Sequence, residues 1–524
     1  MCAHPFLRDL GLGACEQNGY IKRCSHKILE VGDHFAMTRI AFVNAPSDGY
    51  FYGREGRCQV ALEKSPGQKF EFYPPTYLAQ YASVLEHRGH KCKILDCGAQ
   101  KISKEETIAI LKKSNADILV INVTTLSFDD DIAYVKYVKS NSSLPIVAIG
   151  PHGSVEPESL LRNGIDVVVR GEGEFALLDI VEKIGTSKQL SPAQDVRGIS
   201  YLKHGRLMNN PDAELIMDLD LFPFPARHLL CQTIYKDLAI HGHHYTIVRG
   251  SRGCPFNCKF CVVSKISGRR IRFRSPQNII EELKVIKEKG RVSVVSFFDS
   301  LFTANRKHVI ELCKQILRSK LNIHWFANTR ADTVDLEMMK TMKKAGCVGV
   351  TLGIESGSQE ILDNMRKQAK VKDYEKGMAV CKSAGLLTFA YFILGFPGET
   401  YETIQETKAF IKRTKPDSIA IAFPIPFPGT DLYEYARREG LLQFDSWNDF
   451  AKKLKEGFCV TTRFLTFQQL LREKREILRG FFSLNSDLHV NRLIRMKQIG
   501  IKNLLFCSPA LSRRISTIMH SQKR

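Results

Sequence analysis

The sequence predicts an α/β protein in two parts: an N-terminal doubly wound, flavodoxin-like domain and a partial TIM-type (β/α)6 barrel, followed by a C-terminal helical tail. Short apolar, β-branched runs alternate with amphipathic helical stretches over residues 39–183, and the same alternation returns over 245–440. Runs that are apolar at nearly every position are typical of parallel strands buried on both faces of a sheet. We therefore expect a first domain over 37–184 and a barrel over 241–440.

The first domain is expected to contain five parallel strands. These strands are predicted at 39–44, 92–96, 117–122, 145–150 and 166–170, with helices at 76–89, 104–114, 129–140, 155–163 and from 174. Ligands of such sheets bind outside the carboxyl ends of the strands. Small, hydroxyl-bearing and acidic residues follow the last three strands: Thr124, Thr125, Gly150, Gly153 and Glu172. Their size leaves room for a large flat ligand at this edge.

Residues 185–240 are expected to form a connector, with a small hairpin near 198–207 and a stiff Pro-rich stretch at 222–225. The six barrel strands are predicted at 245–249, 292–298, 323–328, 348–354, 387–394 and 418–423. Active-site residues of TIM-type barrels lie at the carboxyl ends of the strands. The loop after the first barrel strand should therefore lie at the barrel mouth.

That loop carries three cysteines. Cys254, Cys258 and Cys261 are separated by three and two residues. Iron–sulfur cubanes are usually held by four thiolates, so a loop of three leaves one iron free to bind another ligand. A zinc knuckle is the main alternative, and it would need a fourth Cys or His in a second close pair. The segment that directly follows supplies none.

The cysteine spacing, with the aromatic Phe260 immediately before the last cysteine, resembles the signature of the radical S-adenosylmethionine (SAM) enzymes. The resemblance implies a 4Fe-4S cluster on Cys254, Cys258 and Cys261. The methionyl amine and carboxylate of SAM would occupy the fourth iron, and an electron from the cluster would cleave SAM to a 5′-deoxyadenosyl radical.

Further residues of this family pattern follow at the ends of later barrel strands. Asp299 would accept a hydrogen bond from the methionyl amine, although a helix-capping role is the alternative. Arg330 would be the cation for the SAM carboxylate, with a structural salt bridge as its alternative. The resemblance places Glu355 and Ser356 at the ribose hydroxyls and Gly395 at the adenine.

The first domain resembles the cobalamin-binding domain, in which hydroxyl residues and a Gly pair line the channel for the nucleotide tail. This resemblance makes Thr124, Thr125, Gly150, Gly153 and Glu172 the candidate cobalamin residues. The Asp-x-His-x-x-Gly loop whose His ligates cobalt is missing, because residues 44–49 read Asn-Ala-Pro-Ser-Asp-Gly. Cobalamin would then bind without a His from that motif. A degenerate domain that holds no ligand is the alternative.

Among radical SAM proteins with a cobalamin domain, the chain is similar to those associated with hopanoid lipids and to the anaerobic magnesium-protoporphyrin ester cyclases. The similarity implies an enzyme that methylates or rearranges an unactivated carbon of a lipid-like or tetrapyrrole molecule. A tRNA methylthiolation enzyme is one alternative, but its three extra cluster cysteines are poorly matched by Cys58, Cys92 and Cys97. A catalytically silent cobalamin or redox sensor is another.

Composition bounds the location and the partners. The chain of 524 residues carries 15 scattered Cys, which fits a reducing cytoplasm better than a disulfide framework. A flavodoxin or ferredoxin would serve as electron donor. Of the net charge of +21, the last part of the chain, 463–524, holds thirteen Lys or Arg against three Asp or Glu.

The basic tail over 466–482 reads as an amphipathic helix that either packs on the barrel or makes a peripheral membrane contact. It lacks the aromatic interleaving of RNA-binding modules, so a nucleic acid partner is not favoured. Nucleotide hydrolysis is not supported either, because the chain has no phosphate-binding loop of the Gly-x4-Gly-Lys-Ser/Thr type. Residues 1–36 are expected to be an unstructured or mis-assigned extension, and 441–524 a basic helical region.

Overall fold

The computed structural model describes residues 36–47, 50–55, 60–62, 73–187, 195–231, 234–237, 243–289, 292, 294–455 and 460–484. Residues 1–35 of the expected extension and the end of the tail beyond 484 lie outside the described residues. The described part confirms an α/β fold with two main sheets and C-terminal helices.

The first sheet has the strand order β4-β1-β5-β6-β7-β8-β9. Its strands are Arg39–Asn44 (β1), Lys91–Asp96 (β4), Ile118–Asn122 (β5), Ile146–Ile149 (β6), Val167–Val169 (β7), Ile199–Lys203 (β8) and Arg206–Asn209 (β9). A separate two-stranded ribbon consists of Tyr50–Tyr52 (β2) and Val60–Leu62 (β3). The five strands β4, β1, β5, β6 and β7 are parallel, as predicted. The hairpin expected within the connector pairs antiparallel with β7, so it extends this sheet.

The helices of the first domain cover both faces of that sheet. They are Thr76–His87, Cys97–Gln100, Lys104–Lys113, Phe128–Asn141, Pro151–Val155, Pro157–Leu161 and Glu174–Ser187. The helix expected over 155–163 is divided, because Glu156 is not helical and Pro157 starts the second piece. Proline has no N–H to continue the preceding helix and is favoured at a first helical position.

The second sheet has the order β10-β11-β14-β15-β16-β17-β18. Its strands are Lys236–Asp237 (β10), His243–Val248 (β11), Val294–Phe297 (β14), His324–Thr329 (β15), Cys347–Glu355 (β16), Leu387–Ile393 (β17) and Ser418–Ala422 (β18). A separate small pair consists of Ser251–Arg252 (β12) and Arg272–Phe273 (β13). Six strands, β11 and β14 to β18, run parallel, as the partial barrel requires.

The barrel strands turn alternate residues towards the surrounding helices. Trp325 and Ala327 pack in one buried cluster with helical residues such as Leu312. The barrel and C-terminal helices are Val263–Ile266, Pro276–Glu288, Arg306–Arg318, Leu336–Lys344, Gln359–Asn364, Val371–Ser383, Tyr401–Thr414, Asp431–Arg438, Trp447–Lys455 and Phe467–Leu484. None of the described helices combines the length and the apolar character that a bilayer crossing requires.

The C-terminal helix Phe467–Leu484 packs on the barrel. Leu470, Ile477 and Phe481 are buried in the barrel cluster, and Lys408 forms an ion pair with Glu473 at 2.6 Å. This supports the packing interpretation for the described helix. A membrane contact by residues 485–524 lies outside the described residues.

One hydrophobic cluster runs through both domains. It contains Ile40 and Leu78 of the first domain together with Tyr245, Val294 and Leu387 of the barrel. At the junction, the ring of Tyr73 lies 6.0 Å from Tyr245 and 5.5 Å from Phe298. The first domain is therefore packed directly against the first barrel strands.

Candidate active site at the cysteine loop and the strand ends

The cysteine loop is closed at its neck by a short antiparallel pair of strands. Ser251 pairs with Phe273 and Arg252 with Arg272. Gly253 has φ +88°, and a Cβ there would lie 2.4 Å from the carbonyl oxygen of Arg270. Only glycine fits such a close approach without strain. The amide of Cys254 donates to Gly268 O at 3.3 Å, which completes the closed loop.

The three cysteines are free thiols and partly exposed. Burial raises the pKa of Cys261 to about 11. Burial also raises the pKa of Cys258, while the cations Lys367 and Arg330 oppose this shift. No group of three or more His, Cys, Asp or Glu side chains in the described residues is arranged to hold a single metal ion.

Arg330 lies directly over the cysteine loop. Its guanidinium carbon stands 3.7 Å from the centroid of the Phe256 ring. Asp332 accepts two of its hydrogen bonds, at 2.9 and 2.6 Å, so the alternative salt-bridge role is also present. Its Nη1 is buried and has no hydrogen-bond partner among the residues that the structure describes. A buried guanidinium with a free donor next to the cluster loop fits the carboxylate of SAM.

Lys367 is a buried cation that the sequence analysis did not single out. Its Nζ forms an ion pair with Glu355 at 2.8 Å and lies 5.7 Å from the centroid of the Phe260 ring. Glu355 has φ +67°, an unusual conformation for a residue with a side chain. Lys367 was missed because it reaches the end of β16 only through the turn that follows helix Gln359–Asn364.

Asp299 does not cap a helix. It is buried, and its carboxylate accepts hydrogen bonds from Ser251 Oγ and, at 3.3 Å, from Gly250 N. Burial raises its pKa. These contacts fix the chain just before the cysteines.

Ser356 and Gly395 shape the ends of the next two strands. Ser356 Oγ lies 3.2 Å from Thr407 Oγ1 of helix Tyr401–Thr414 and accepts from Ser358 N at 3.1 Å, so it ties its own loop to that helix. Gly395 has φ +89°, and a Cβ there would lie 2.7 Å from a methyl group of Leu470. Their proposed contacts to ribose and adenine remain predictions.

The strand ends of the first domain bring the candidate cobalamin residues together. Thr124 Oγ1 lies 2.8 Å from Ser127 Oγ, and Thr125 Oγ1 lies 3.0 Å from His152 Nδ1. Gly150 has φ +108°, and a Cβ there would lie 2.5 Å from Asn122 Oδ1. A Cβ on Gly153 would lie 2.7 Å from Val168. The two glycines thus permit close packing of the loops.

His152 is fully buried, and both of its ring nitrogens have partners. Nδ1 contacts Thr125, Nε2 lies 3.0 Å from Ser159 Oγ, and the Trp447 ring lies 5.3 Å away. Burial lowers its pKa to about 3. The ring therefore ties the loops after β5 and β6 together.

A cavity of about 590 Å³ opens at the ends of β1 and β4, lined by residues that include Pro46, Ser47, Gly98 and Tyr134. Next to it, Arg54 forms a bidentate pair with Asp131 over the end of β5. None of the five candidate cobalamin residues lines this cavity, so their contacts to cobalamin remain predictions. Glu172 instead forms a bidentate pair with Arg272 of the barrel, with both contacts at 2.7 Å.

Cys92 and Cys97 lie at opposite ends of one strand. Cys92 is the second residue of β4, and Cys97 directly follows its end. At about 3.3 Å per residue they are roughly 16 Å apart, which does not favour a shared second cluster. Cys58 lies outside the described residues.

Two family models match the chain. The radical SAM superfamily matches residues 248–411, and the B12 binding domain matches residues 71–181. An uncharacterized methyltransferase of Pyrococcus horikoshii is 34% identical over 380 residues, covering 72% of this chain and 81% of the relative.

A further relative and a solved structure extend the comparison. The anaerobic magnesium-protoporphyrin IX monomethyl ester cyclase of Rubrivivax gelatinosus is 28% identical over 386 residues, covering 72% of this chain and 69% of the relative. The radical SAM methyltransferase TsrM of Kitasatospora setae, solved with cobalamin and a [4Fe-4S] cluster, has the same fold. It matches with a TM-score of 0.63 at 16% identity, over 84% of this chain and 91% of that one.

The loops that follow β5, β6 and β7 of the first sheet are called here the cofactor edge. Together with the cysteine loop on a partial barrel, they define a radical SAM enzyme with a cobalamin domain. The chain belongs to the radical SAM superfamily and is a cobalamin-dependent, methyltransferase-like enzyme. Its cofactors are a 4Fe-4S cluster, SAM and cobalamin.

Proposed function

We propose that this enzyme cleaves SAM reductively to a 5′-deoxyadenosyl radical, which removes a hydrogen atom from an unactivated carbon of a bulky, largely apolar small molecule. That carbon is then methylated or rearranged. When bound, the cluster would supply the electron, one SAM molecule the radical, a second SAM molecule the methyl group, and cobalamin a methyl carrier. An electron donor of the flavodoxin or ferredoxin kind reduces the cluster.

The inner face of the barrel supports the proposal that the substrate is largely apolar. Partly exposed aromatic side chains alternate with the residues that face the helices. They are Phe326 on β15 and Phe389 and Tyr391 on β17. The rings of Phe326 and Phe389 lie 5.8 Å apart, edge to face. In closed TIM barrels the inward side chains fill the interior. A partly open, aromatic interior favours a lipid-like or tetrapyrrole substrate over a small polar one.

The chain's own residues orient SAM for this reaction. Arg330 holds the carboxylate through Nη1, which has no partner within the described part of the chain, and Phe256 fixes the guanidinium plane from the loop side. Cys254, Cys258 and Cys261 hold the cluster. Asp299 keeps the start of the loop in place through Gly250 and Ser251.

The first experiment is reductive SAM cleavage after anaerobic reconstitution. We expect wild-type protein with about four irons per chain to form 5′-deoxyadenosine from SAM and dithionite, measured by mass spectrometry. Cys258→Ala should form none. Arg330→Ala should keep its iron but bind SAM at least about tenfold more weakly, the loss of one charged hydrogen bond. A fully loaded wild-type enzyme that leaves SAM intact would refute the proposal.

The substrate class is tested separately with methyl-deuterated SAM. Loaded enzyme is incubated with a total lipid extract and, in parallel, with magnesium-protoporphyrin IX monomethyl ester. A mass increase in either pool supports an apolar substrate. Labelling of a tRNA fraction instead would favour the methylthiolation alternative. One relative, from Methanocaldococcus jannaschii, is named a putative methylthiotransferase.

A further inference from the structure

Four charged side chains bridge the two domains beside the cysteine loop. Arg272 forms a bidentate pair with Glu172, with both contacts at 2.7 Å. Arg252 pairs with Glu174 at 2.6 Å and lies 3.6 Å from Glu172. The two glutamates belong to the B12-binding match, and the two arginines belong to the radical SAM match.

These four side chains, called here the neck cluster, are shielded from water. The side chains of Glu172, Glu174 and Arg272 are 5%, 1% and 1% exposed, and that of Arg252 is 16% exposed. Two acids balance two bases, so the group is neutral as a whole. Removing one member would leave a buried charge without its partner, which strongly disfavours the packed arrangement.

The two arginines occupy the neck of the cysteine loop. Arg252 directly precedes Gly253 and Cys254, and it lies opposite Arg272 in the β12–β13 pair. Like charges placed directly opposite each other on paired strands repel. Glu172 contacts both guanidinium groups, so the neck closes favourably only when the first domain supplies this carboxylate.

The two glutamates come from the cofactor edge of the first domain. Glu172 lies between Gly171 and Gly173 in the turn after β7, and Glu174 begins the helix Glu174–Ser187. A Cβ on Gly171 would lie 3.5 Å from the carbonyl oxygen of Ile266, so this turn already touches the cysteine loop. Arg272 also donates to Ser267 O at 3.0 Å and to Ile216 O at 2.8 Å. The neck cluster thus joins the cofactor edge, the connector and the cysteine loop.

We propose that Glu172 and Glu174 are positioning residues that hold the cysteine loop against the cofactor edge, so that the methyl group of SAM can cross between the domains. This inference rests on the proposed function. SAM cleavage takes place within the barrel, whereas methyl transfer needs the correct distance between the two domains. Misplacement by about 1 Å can reduce such a step about a hundredfold.

The test compares wild-type enzyme, the double variant Glu172→Gln and Glu174→Gln, and the control Glu375→Gln. Glu375 pairs with Arg413 at 2.7 Å on the barrel surface and bridges no domains. Each protein is reconstituted with iron, sulfide and hydroxocobalamin, then reduced and given SAM alone. Mass spectrometry separates S-adenosylhomocysteine, left after methyl transfer, from 5′-deoxyadenosine, left after reductive cleavage. Hydrogen exchange of peptides within 253–268 reports on the loop directly.

We expect the double variant to form at least about tenfold less S-adenosylhomocysteine, and to lose more of this product than of 5′-deoxyadenosine at equal iron content. Exchange in 253–268 should be at least about tenfold faster. Arg272→Lys, which keeps the charge but loses the bidentate geometry, should shift both readouts less in the same direction. The control should match wild type.

Unchanged exchange in the double variant would overturn the positioning role, and so would equal loss of both products at full iron content. If wild type forms neither product from SAM, the proposed function fails. The exchange comparison, which needs no turnover, still decides whether the neck cluster holds the loop.

Discussion

At the scale of single residues, Gly253 is the position where the cysteine loop tolerates least change. Its φ of +88° and the nearby carbonyl of Arg270 leave no room for a side chain. We expect Gly253→Ala to cost about 1 to 2 kcal/mol for the backbone conformation alone, with the clash in addition. Iron content after reconstitution should fall sharply. Colorimetric iron analysis and thermal unfolding measure both effects.

The matched control for this substitution is Gly440→Ala. Gly440 also has positive φ, at +65°, but nothing lies within 4 Å of an added Cβ. It should show only the conformational cost and full iron content. Equal iron content in the two variants would contradict the interpretation of the loop neck.

His152 predicts a pH dependence of stability. Burial lowers its pKa from 6.5 to about 3, so the folded protein holds the neutral ring while the unfolded chain is protonated below pH 6.5. The neutral His152 ring therefore contributes its full share of the free energy of unfolding above pH 6.5, and this contribution is lost progressively as the pH falls towards 3. At pH 5 the loss is about 2 kcal/mol.

Removing the imidazole should remove this dependence. We expect His152→Gln to be less stable at pH 8 but to lose less stability than wild type between pH 7 and pH 5, measured by urea unfolding. His204→Gln, in the exposed turn of the β8–β9 hairpin, should keep the wild-type curve. Parallel curves for His152→Gln and wild type would show that another group controls this range.

Residue-level interpretation from sequence was strongest for the cysteines, because their spacing is a local property of the chain. It missed Lys367, which reaches the site through the turn after helix Gln359–Asn364 and pairs with Glu355. It placed Glu172 among the cobalamin residues, and the structure gives that carboxylate two hydrogen bonds from Arg272. Partners so distant in sequence leave no local pattern.

At the scale of elements, the C-terminal helix Phe467–Leu484 supports the barrel near the expected adenine position. Leu470 is buried against Gly395 at the end of β17. We expect Leu470→Ala to reduce the free energy of unfolding by about 2 to 5 kcal/mol, the usual result of a large cavity. Urea unfolding measures the loss, and equilibrium binding tests whether affinity for SAM falls with it.

The control on the same helix is Gln468→Ala, because Gln468 is exposed. It should change the unfolding free energy by less than about 0.5 kcal/mol. If Leu470→Ala is as mild as this control, the helix does not depend on the barrel for its position.

Periodicity predicted the strands to within a few residues, since buried parallel strands are continuous apolar runs. It was less successful with connections. The helix expected over 155–163 is two helices, and the hairpin β8–β9 joins the first sheet rather than standing within a connector. Which sheet edge a hairpin joins depends on contacts with β7, and those are not encoded in the hairpin's own pattern.

At the scale of the whole molecule, the continuous hydrophobic cluster predicts cooperative unfolding. Because the cluster joins Ile40 and Leu78 of the first domain to Tyr245 and Val294 of the barrel, neither domain can expose its share alone. We expect one calorimetric transition for the full chain. Val294→Ala should move the whole transition to lower temperature. Two resolved transitions, with only one shifted, would show that the domains unfold independently.

The sequence by itself determined the fold class, the order of strands and helices, the cysteine loop and the family of cofactors. The fold class and the cysteine loop follow from short-range patterns, namely apolar runs, helix periodicity and the spacing of three thiols. The cofactors were implied by the resemblance to radical SAM enzymes and to the cobalamin-binding domain. Only the tertiary structure decided that Arg330 lies over Phe256, that His152 is a buried structural ring, and that Glu172 and Glu174 join the two domains. Each of these depends on which charges and rings are brought together and shielded from water, and this depends on packing between segments far apart in the chain.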